Sequence, residues 1–397
     1  MRILFTFVGG QGHFDPLVPI ARAAEGAGHS VAFGCAPSMR SMVEAADFAA
    51  FALGTEASSP RERLSLRPAD RERESRDLRE RFARRAARYR APLTMALCTE
   101  WKPDALVCDE TNFGAVVAAE RLGLPFATVL ITASGSFVRA DVVGEPLNEL
   151  RAEHSLPPDP ELEMLSRYLV LSPFPPSLRD PANPLPATAH PFRLWQPGSA
   201  DDSAPPWRLG LPGKPTVYFT LGTIFNTESG DLLARVIIGL RELPVNLVVT
   251  VGRNIDPKEL GPQPAHVHVA QFIPQASVLP HCDLVVSHGG SGSVLGALAH
   301  GLPSVLIPLG ADQPLNAARC ADLGVAEVLD AMQAMPERVR AAASMVLDNA
   351  TYKQNAERLR DEIAALPEPT HAVGLLERLC GASGAGTAPD PLHRGGR

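Results

Sequence analysis

The chain has 397 residues, which is too long for one ordinary core and therefore predicts two domains. Its composition is that of a globular protein, with 45% apolar and 20% charged residues. The net charge of −7 gives no reason to expect a nucleic-acid or membrane-surface partner. No apolar run reaches the length of about 18 residues that a membrane span requires. The six cysteines form no C-x-x-C pair and a strand starts at the N-terminus without a signal peptide, so we expect a cytoplasmic protein without disulfide bonds.

The first half of the chain has the pattern of a parallel α/β domain. A short apolar strand, a Gly-rich turn, an amphipathic helix and a second strand succeed each other within residues 2–33. Such a β–α–β unit predicts a parallel sheet with right-handed crossovers. Residues 132–166 show no clear period and predict irregular structure with short helical pieces. The strands expected in this half are residues 2–8, 30–33, 104–108, 126–131, 168–172 and 192–195.

Two segments of the chain interrupt this pattern. Residues 56–90 are rich in Arg and Glu of alternating sign, which predicts a solvated loop followed by an exposed helix. Residues 197–213 are rich in Pro, Gly, Ser and Asp, and within them we place the linker at 201–213. A second α/β series starts at residue 214. The tail at 381–397 has no apolar period, and we expect it to be disordered.

The stretch at residues 271–316 carries the densest chemical signal. It predicts a strand, the Gly-rich turn His288-Gly-Gly-Ser-Gly-Ser, a helix that ends near His300, another strand and the pair Asp312-Gln313. Glycines let a backbone approach a ligand closely, and free N–H groups at a helix N-terminus attract phosphate. In open α/β sheets, ligands bind outside the carboxyl ends of the strands, where all these groups fall.

This stretch resembles the donor-binding signature of family 1 glycosyltransferases, and most of all their bacterial branch that decorates antibiotics and other natural products. The blocks F-I-P-Q, H-G-G-S-G-S, G-L-P and D-Q-P-L-N-A stand in family order and spacing, and the resemblance extends over about residues 1–380. It implies a GT-B fold of two Rossmann-like parallel-sheet domains that face each other across a cleft. Residues 1–200 would bind the acceptor and 214–370 the nucleotide sugar, while a helix at 371–380 would return to the first domain.

His13 is the candidate base for deprotonating an acceptor hydroxyl. It follows the first strand, and a neutral imidazole suits proton removal near pH 7. Asp109 ends another strand of the same sheet, where a carboxylate could fix the tautomer of His13 and stabilise its imidazolium form. The two positions also resemble the catalytic dyad of the family.

The donor side is predicted from the signature blocks. Thr223, His288 and the Gly-Ser turn would stabilise the leaving diphosphate. Phe272, where many relatives carry Trp, would stack on the base with Ile273 at the base edge, and Gln275 would lie near the ribose. Asp312 and Gln313 match the pair that binds the sugar hydroxyls. The complete set of expected donor ligands is Thr223, Phe272, Ile273, Gln275, His288, Gly290, Ser291, Gly292, Ser293, Asp312 and Gln313.

One departure from the family bears on the choice of nucleotide. Many relatives that use UDP-sugars carry a Glu eight residues after the signature His, whereas this chain has Gly296. Losing that acceptor for the ribose 2′-OH favours a dTDP-sugar donor, with a UDP-sugar as the alternative. Phe113, Phe137 and Val138 indicate an apolar acceptor, although aromatic residues at such places also serve as core.

These observations predict an inverting, metal-independent glycosyltransferase of secondary metabolism without a cofactor. Its partners would be a nucleoside diphosphate sugar and a small apolar acceptor. A non-catalytic nucleotide-sugar-binding auxiliary protein and a GT-B nucleotide-sugar epimerase stay open as alternatives. NAD binding is disfavoured, because Asp15 stands where a dinucleotide fingerprint needs a small third residue. His266 and His268 have no Cys or carboxylate nearby, which indicates surface residues rather than metal ligands.

Overall fold

The computed structural model describes residues 1–55, 63–194, 213–222 and 225–384. Of the predicted linker only Gly213 falls within these ranges, and residues 385–397 of the predicted tail lie outside them. The described residues form two sheets in which every paired strand runs parallel to its neighbours. The predicted α/β fold with two Rossmann-like domains is therefore confirmed.

The first sheet has seven strands in the order β3-β2-β1-β4-β5-β6-β7. Its central strand β1 pairs with β2 on one side and β4 on the other, with Ile3 opposite Val31 and Ala105. The strands are β1 (Arg2–Thr6), β2 (Ser30–Cys35), β3 (Ala49–Ala52), β4 (Ala105–Asp109), β5 (Phe126–Val129), β6 (Leu169–Ser172) and β7 (Ala189–Pro191).

The second sheet has six strands in the order β10-β9-β8-β11-β12-β13, which repeats the plan of the first. Its central strand β8 pairs with β9 and β11. The strands are β8 (Thr216–Thr220), β9 (Asn246–Thr250), β10 (Val267–Ala270), β11 (Leu284–Ser287), β12 (Ser304–Leu306) and β13 (Ala326–Val328).

Both faces of each sheet are covered by helices, as the continuous apolar strands require. Along β1, Leu4 belongs to one buried apolar cluster, whereas Ile3 and Phe5 belong to another. Along β8, Val217 and Tyr218 likewise belong to two different apolar clusters. Because successive side chains of a strand point to opposite faces, each sheet separates two cores.

The helices connect successive strands and supply these two covering layers. In chain order they are α1 (Gln11–Phe14), α2 (Val18–Gly26), α3 (Arg40–Ala45), α4 (Arg71–Asp77), α5 (Ala87–Trp101), α6 (Phe113–Leu122), α7 (Ala140–Glu153), α8 (Leu232–Arg241), α9 (Gln275–Val278), α10 (Ser291–Ala299), α11 (Gln313–Asp322), α12 (Pro336–Asp348), α13 (Ala350–Ala364) and α14 (Pro369–Gly384). No helix in the described ranges is long and apolar enough to cross a membrane.

Two helices differ from the sequence prediction. The 14-residue helix α7 replaces the irregular structure expected after residue 132, because its buried residues, among them Val143, Leu147 and Leu150, supply core contacts. The last helix α14 begins before residue 371 and continues to Gly384, into the segment expected to be disordered. Its apolar face packs on the first domain through Ala372 and Leu376, which explains its extent better than local propensity does.

The Arg- and Glu-rich segment is not a fully solvated helix. Between α4 and α5 the chain forms a π-helix, Leu78–Ala86, in which Leu78 and Ala83 are buried. Arg84 and Arg88 form ion pairs with Glu149 and Glu153 of α7. Charged side chains that were expected to face solvent therefore form ion pairs with α7 instead.

The two domains are in direct contact. One apolar cluster combines Leu130 and Phe174 of the first domain with Val294 and Leu298 of the second. Residues 63–66 cross from the first domain to the second, where the N–H group of Leu64 donates to the carbonyl of Thr227 at 2.8 Å. The N–H group of Ala133, after β5, also donates to Oγ of Ser291, after β11, at 2.8 Å, so the carboxyl ends of these two strands lie on the same side of the domain contact.

Candidate functional site

The catalytic pair predicted from the sequence is brought together at the carboxyl end of the first sheet. His13 lies on α1, directly after β1, and Asp109 is the last residue of β4. The Nδ1 atom of His13 is 3.2 Å from Oδ1 of Asp109. The carboxylate also accepts N–H groups of Val8 at 2.8 Å and Thr111 at 2.9 Å. Because these bonds hold it in place, Asp109 can orient the imidazole and stabilise its charged form.

A glycine makes room for this histidine. Gly9 has a φ of +114°, a conformation that residues with a side chain rarely adopt. A Cβ atom at this position would lie 2.7 Å from the His13 ring. The Gly-rich turn after β1 therefore serves the placement of His13.

Phe82 is a neighbour of His13 that the sequence analysis missed. The two rings are nearly parallel, with an interplanar angle of 10° and centroids 6.2 Å apart. Phe82 lies on the π-helix Leu78–Ala86, and such helices often occur at functional sites. Its one sequence signal was an aromatic residue inside a charged run.

His288 lies at the carboxyl end of the second sheet, immediately after β11. Its ring is enclosed between two glycines, since a Cβ atom at Gly222 or Gly290 would come within 2.6 Å of the ring. The residue is 9% exposed, and among the described residues its Nδ1 atom has no hydrogen-bond partner. Burial lowers the pKa of His288 to about 4. At neutral pH it is therefore an uncharged imidazole that can donate one hydrogen bond.

The helix α10 starts beside His288, as the sequence predicted. Gly290 is its extended N-cap residue, and Gly292 and Ser293 belong to its first turn. The N–H groups of a first helical turn have no partner within the helix and favour an anion. Gln275 reaches the same place, with its Nε2 atom 3.5 Å from Oγ of Ser293.

Ser291 and Asp312 form a polar pair behind this helix start. The Ser291 hydroxyl, expected to face a diphosphate, instead donates to Oδ2 of Asp312 at 2.6 Å. Nδ2 of Asn316 donates to the same oxygen at 2.7 Å. Burial raises the pKa of Asp312, while these two bonds and the charge of protonated His13 lower it. Oγ of Ser291 also accepts the N–H group of Ala133 of the first domain at 2.8 Å, so the two halves of the site are in contact.

Asn316 is the second residue that the sequence analysis missed. It is fully buried one helical turn after Asp312, on the same face of α11. The signal was present, because this residue belongs to the D-Q-P-L-N-A block. Its neighbour Gln313 is 2% exposed, and Oε1 of this residue accepts the N–H groups of Leu309 and Gly310 at 2.8 and 3.2 Å. That oxygen holds the loop before α11 and is not free for a sugar hydroxyl.

Phe272 and Ile273, predicted to bind the nucleotide base, lie between β10 and α9 of the second domain. Phe272 is 44% exposed, and the guanidinium of Arg253 lies 5.2 Å from the ring centroid. Ile273 is partly buried against an apolar cluster that includes Val278. Thr223 lies outside the described residues. The contacts described above thus bring Gln275, His288 and Asp312 to the start of α10.

Of the residues proposed to indicate an apolar acceptor, Phe113 is fully buried and belongs to the core of the first domain. Phe137 and Val138 are partly buried against that core. Within the described ranges, no group of three or more His, Cys, Asp or Glu side chains could hold a metal ion. His266, considered as a metal ligand, has its Nε2 atom 3.0 Å from the carbonyl oxygen of Arg241.

Comparison with known proteins identifies the family. Residues 234–379 match the model described as erythromycin biosynthesis protein CIII-like, C-terminal domain. The chain is 30% identical to 4'-demethylrebeccamycin synthase of Lentzea aerocolonigenes, over 95% of this chain and 99% of that protein. It is 28% identical to tylactone mycaminosyltransferase of Streptomyces fradiae, over 100% of this chain and 94% of that protein.

A solved structure shows the same architecture. The chain aligns with the glycosyltransferase VinC, crystallised in complex with dTDP, at a TM-score of 0.75 and 25% identity. The alignment covers 96% of this chain and 100% of that one. The chain belongs to the GT-B glycosyltransferases of the erythromycin CIII-like, macrolide antibiotic family.

Proposed function

We propose that this protein is an inverting glycosyltransferase that moves a sugar from a nucleoside diphosphate sugar, dTDP-linked by preference, to a hydroxyl of a small apolar natural product. The observation that carries the proposal is the contact between Nδ1 of His13 and Oδ1 of Asp109 at 3.2 Å. A protein that only bound nucleotide sugars would not need such a base.

His13 acts as the general base in this proposal. The acceptor hydroxyl gives its proton to the imidazole as its oxygen attacks the anomeric carbon of the donor sugar. The bond from that carbon to the nucleoside diphosphate breaks in the same displacement, and the configuration inverts. Asp109 stabilises the imidazolium that forms, as the carboxylate of a catalytic triad does.

The start of α10 receives the leaving diphosphate. His288 donates a hydrogen bond from its neutral ring, and the N–H groups around Gly292 and Ser293 add further donors. These groups offset the negative charge that grows on the leaving oxygen. We expect transfer to continue in the presence of EDTA, because the protein itself supplies these donors.

The base of the nucleotide would lie against the exposed ring of Phe272, with Ile273 at its edge and Gln275 near the ribose. Gly296 offers no carboxylate to a ribose 2′-hydroxyl, which supports dTDP over UDP. The dTDP bound to the related VinC supports the same choice. Asp312 and the amide of Gln313 would then face the sugar.

The acceptor would be held in the first domain near His13. Phe82 offers an apolar surface parallel to the imidazole, which supports an acceptor with apolar rings or chains. The names of the two relatives, a rebeccamycin-type synthase and a tylactone glycosyltransferase, support a natural-product aglycone.

Calorimetric titration tests the donor site first. We expect the purified protein to bind dTDP more tightly than UDP and not to bind NAD⁺. We expect His288→Ala to weaken dTDP binding at least about tenfold, since a hydrogen bond to a charged group contributes about 1.5–3 kcal/mol. The matched control is His300→Ala, at the far end of α10. Binding of NAD⁺ alone, or of no nucleotide, would overturn the proposal, and a tenfold preference for UDP would overturn the dTDP choice.

Product stereochemistry tests the reaction itself. We expect NMR of the glycoside to show an anomeric configuration opposite to that of the donor. Retention would refute the single displacement, and conversion of the donor without an acceptor would indicate an epimerase.

A further inference from the structure

A loop of the first domain, residues 132–136, is hydrogen-bonded to the donor half of the site. The N–H group of Ala133 donates to Oγ of Ser291 at 2.8 Å. The next N–H group, that of Ser134, donates to Oδ1 of Asn316 at 3.3 Å. Both bonds cross from the first domain to the second. The loop therefore contacts the two residues that hold Asp312.

These contacts decide how the Ser291 hydroxyl is oriented. A hydroxyl has one proton and two lone pairs. The proton of Ser291 goes to Asp312, and its oxygen accepts from Ala133 and from Nδ2 of Asn316 at 3.0 Å. Nδ2 of Asn316 is also 3.1 Å from the carbonyl oxygen of Gly289. Each partner of the Asp312 carboxylate is thus itself fixed by further bonds.

Glu110 holds the other end of the loop. Its Oε1 atom accepts the N–H group of Thr132 at 2.9 Å, and the whole residue is 8% exposed. The positive charge of Arg179 acts on this carboxyl group. The Arg179 guanidinium occupies the place where a side chain at Gly135 would lie. A Cβ atom at Gly135 would be 1.8 Å from Cζ of Arg179. A buried carboxyl group and a packed guanidinium therefore fix both sides of the loop.

We propose that Glu110 is a positioning residue for the donor sugar, acting through the loop at residues 132–134 and through Ser291 on Asp312. This inference rests on the proposed function, in which Asp312 contacts the sugar. Asp109 and Glu110 are successive residues at the end of β4. One orients the base on the acceptor side, and the other orients the sugar-binding carboxylate across the cleft.

Two roles of Glu110, in positioning Asp312 and in general stability, can be distinguished by which ligand binds more weakly when Glu110 is changed. Asp312 is assigned to the sugar, whereas His288 and the N–H groups of α10 are assigned to the diphosphate. Loosening Asp312 should therefore weaken the binding of a nucleotide sugar but not that of the bare nucleotide. A loss of fold would weaken both alike.

The substitutions Glu110→Ala and Glu110→Gln separate these roles. The alanine variant leaves the N–H group of Thr132 without its acceptor, whereas glutamine keeps an oxygen there without the charge. Burial raises the pKa of Glu110 to about 7, so the neutral amide resembles a form that the native site already populates near neutral pH.

The experiment is calorimetric titration of each full-length variant with dTDP and with dTDP-glucose. We expect Glu110→Ala to weaken the binding of dTDP-glucose about tenfold, which is the size of a lost hydrogen bond to a charged group. We expect the same variant to weaken the binding of dTDP less than about twofold. We expect Glu110→Gln to restore dTDP-glucose binding to within about threefold of the wild type. A matched control is Glu120→Gln, a buried carboxylate paired with Arg151 away from the cleft.

Ser291→Ala tests the same path without touching Glu110. We expect the same selective loss, and we expect the double variant Glu110→Ala/Ser291→Ala to be no weaker than the worse single variant, because both act through one chain of contacts. Equal weakening of both ligands, or no change in either, would overturn the inference. If the wild type bound neither ligand, the proposed function itself would fail. Wild-type binding that Glu110→Ala leaves unchanged would remove only this inference.

Discussion

Two histidines lie beyond the carboxyl ends of strands in the two sheets, His13 after β1 and His288 after β11, yet their surroundings differ. The side chain of His13 is 16% exposed and lies beside the carboxylate of Asp109. His288 is more deeply enclosed, between two glycines, and burial lowers its pKa to about 4. A carboxylate beside an imidazole stabilises its protonated form, whereas burial alone penalises that form. The first environment suits a base that takes up a proton, and the second suits a neutral donor.

The largest effect is expected when the base is removed. His13→Gln should lower turnover about 10³-fold, within the contribution of about 10²–10⁴ that general bases make, and should leave dTDP affinity within about twofold. Turnover would be measured with an aglycone selected from a natural-product library. His29→Gln, which loses a contact with Glu377 far from the cleft, is the matched control. A His13→Gln protein that keeps a tenth of wild-type turnover would end the assignment.

A smaller loss is expected when only the partner of the base changes. Asp109→Asn should lower turnover about 10²-fold, because the amide keeps the size of the side chain but cannot stabilise an imidazolium. The control is Asp104→Asn, whose carboxylate accepts the N–H group of Arg2 at the opposite end of the strand. The double variant with His13→Gln should be no slower than His13→Gln alone. Multiplicative losses would mean that the two residues act separately.

The smallest expected effect is on the pH dependence of the free energy of unfolding, and it tests the environment of His288. Its folded pKa of about 4 lies below the usual value of about 6.5, so the unfolded chain binds a proton that the folded protein does not. Stability from this group is complete above pH 6.5 and declines as the pH falls towards 4. We expect about 1.5 kcal/mol to be lost between pH 6.5 and 5 in the wild type relative to His288→Gln.

Urea unfolding at a series of pH values measures this difference. The comparison with His288→Gln is needed because Glu110, with a folded pKa of about 7, contributes in the opposite direction. Glu110 contributes to the free energy of unfolding at low pH, and this contribution declines as the pH rises from 4.5 to 7. An unchanged slope in the His288→Gln protein would show that His288 is not enclosed as described.

Local patterns were sufficient for much of this fold. Apolar runs such as RILFTFV mark buried strands, and Gly-rich turns mark the places where strands pass into helices. The repetition of that pattern in both halves predicts two parallel-sheet domains, which the structure confirms. Local patterns failed for α7 and for the Arg-rich segment. There, packing against other helices outweighed the charge pattern.

The amino-acid sequence by itself determined the two α/β domains, the approach of His13 to Asp109 and the placement of Gln275, His288 and Asp312 at the start of α10. These follow from strand ends, because parallel strands bring their carboxyl ends to one edge. Only the tertiary structure decided that the Ser291 hydroxyl serves Asp312, that Phe82 lies beside His13 and that Glu110 supports a loop of contacts across the domains. The residues in each of these contacts are far apart in the chain. The local periodicity of a sequence does not predict which buried polar groups will contact each other.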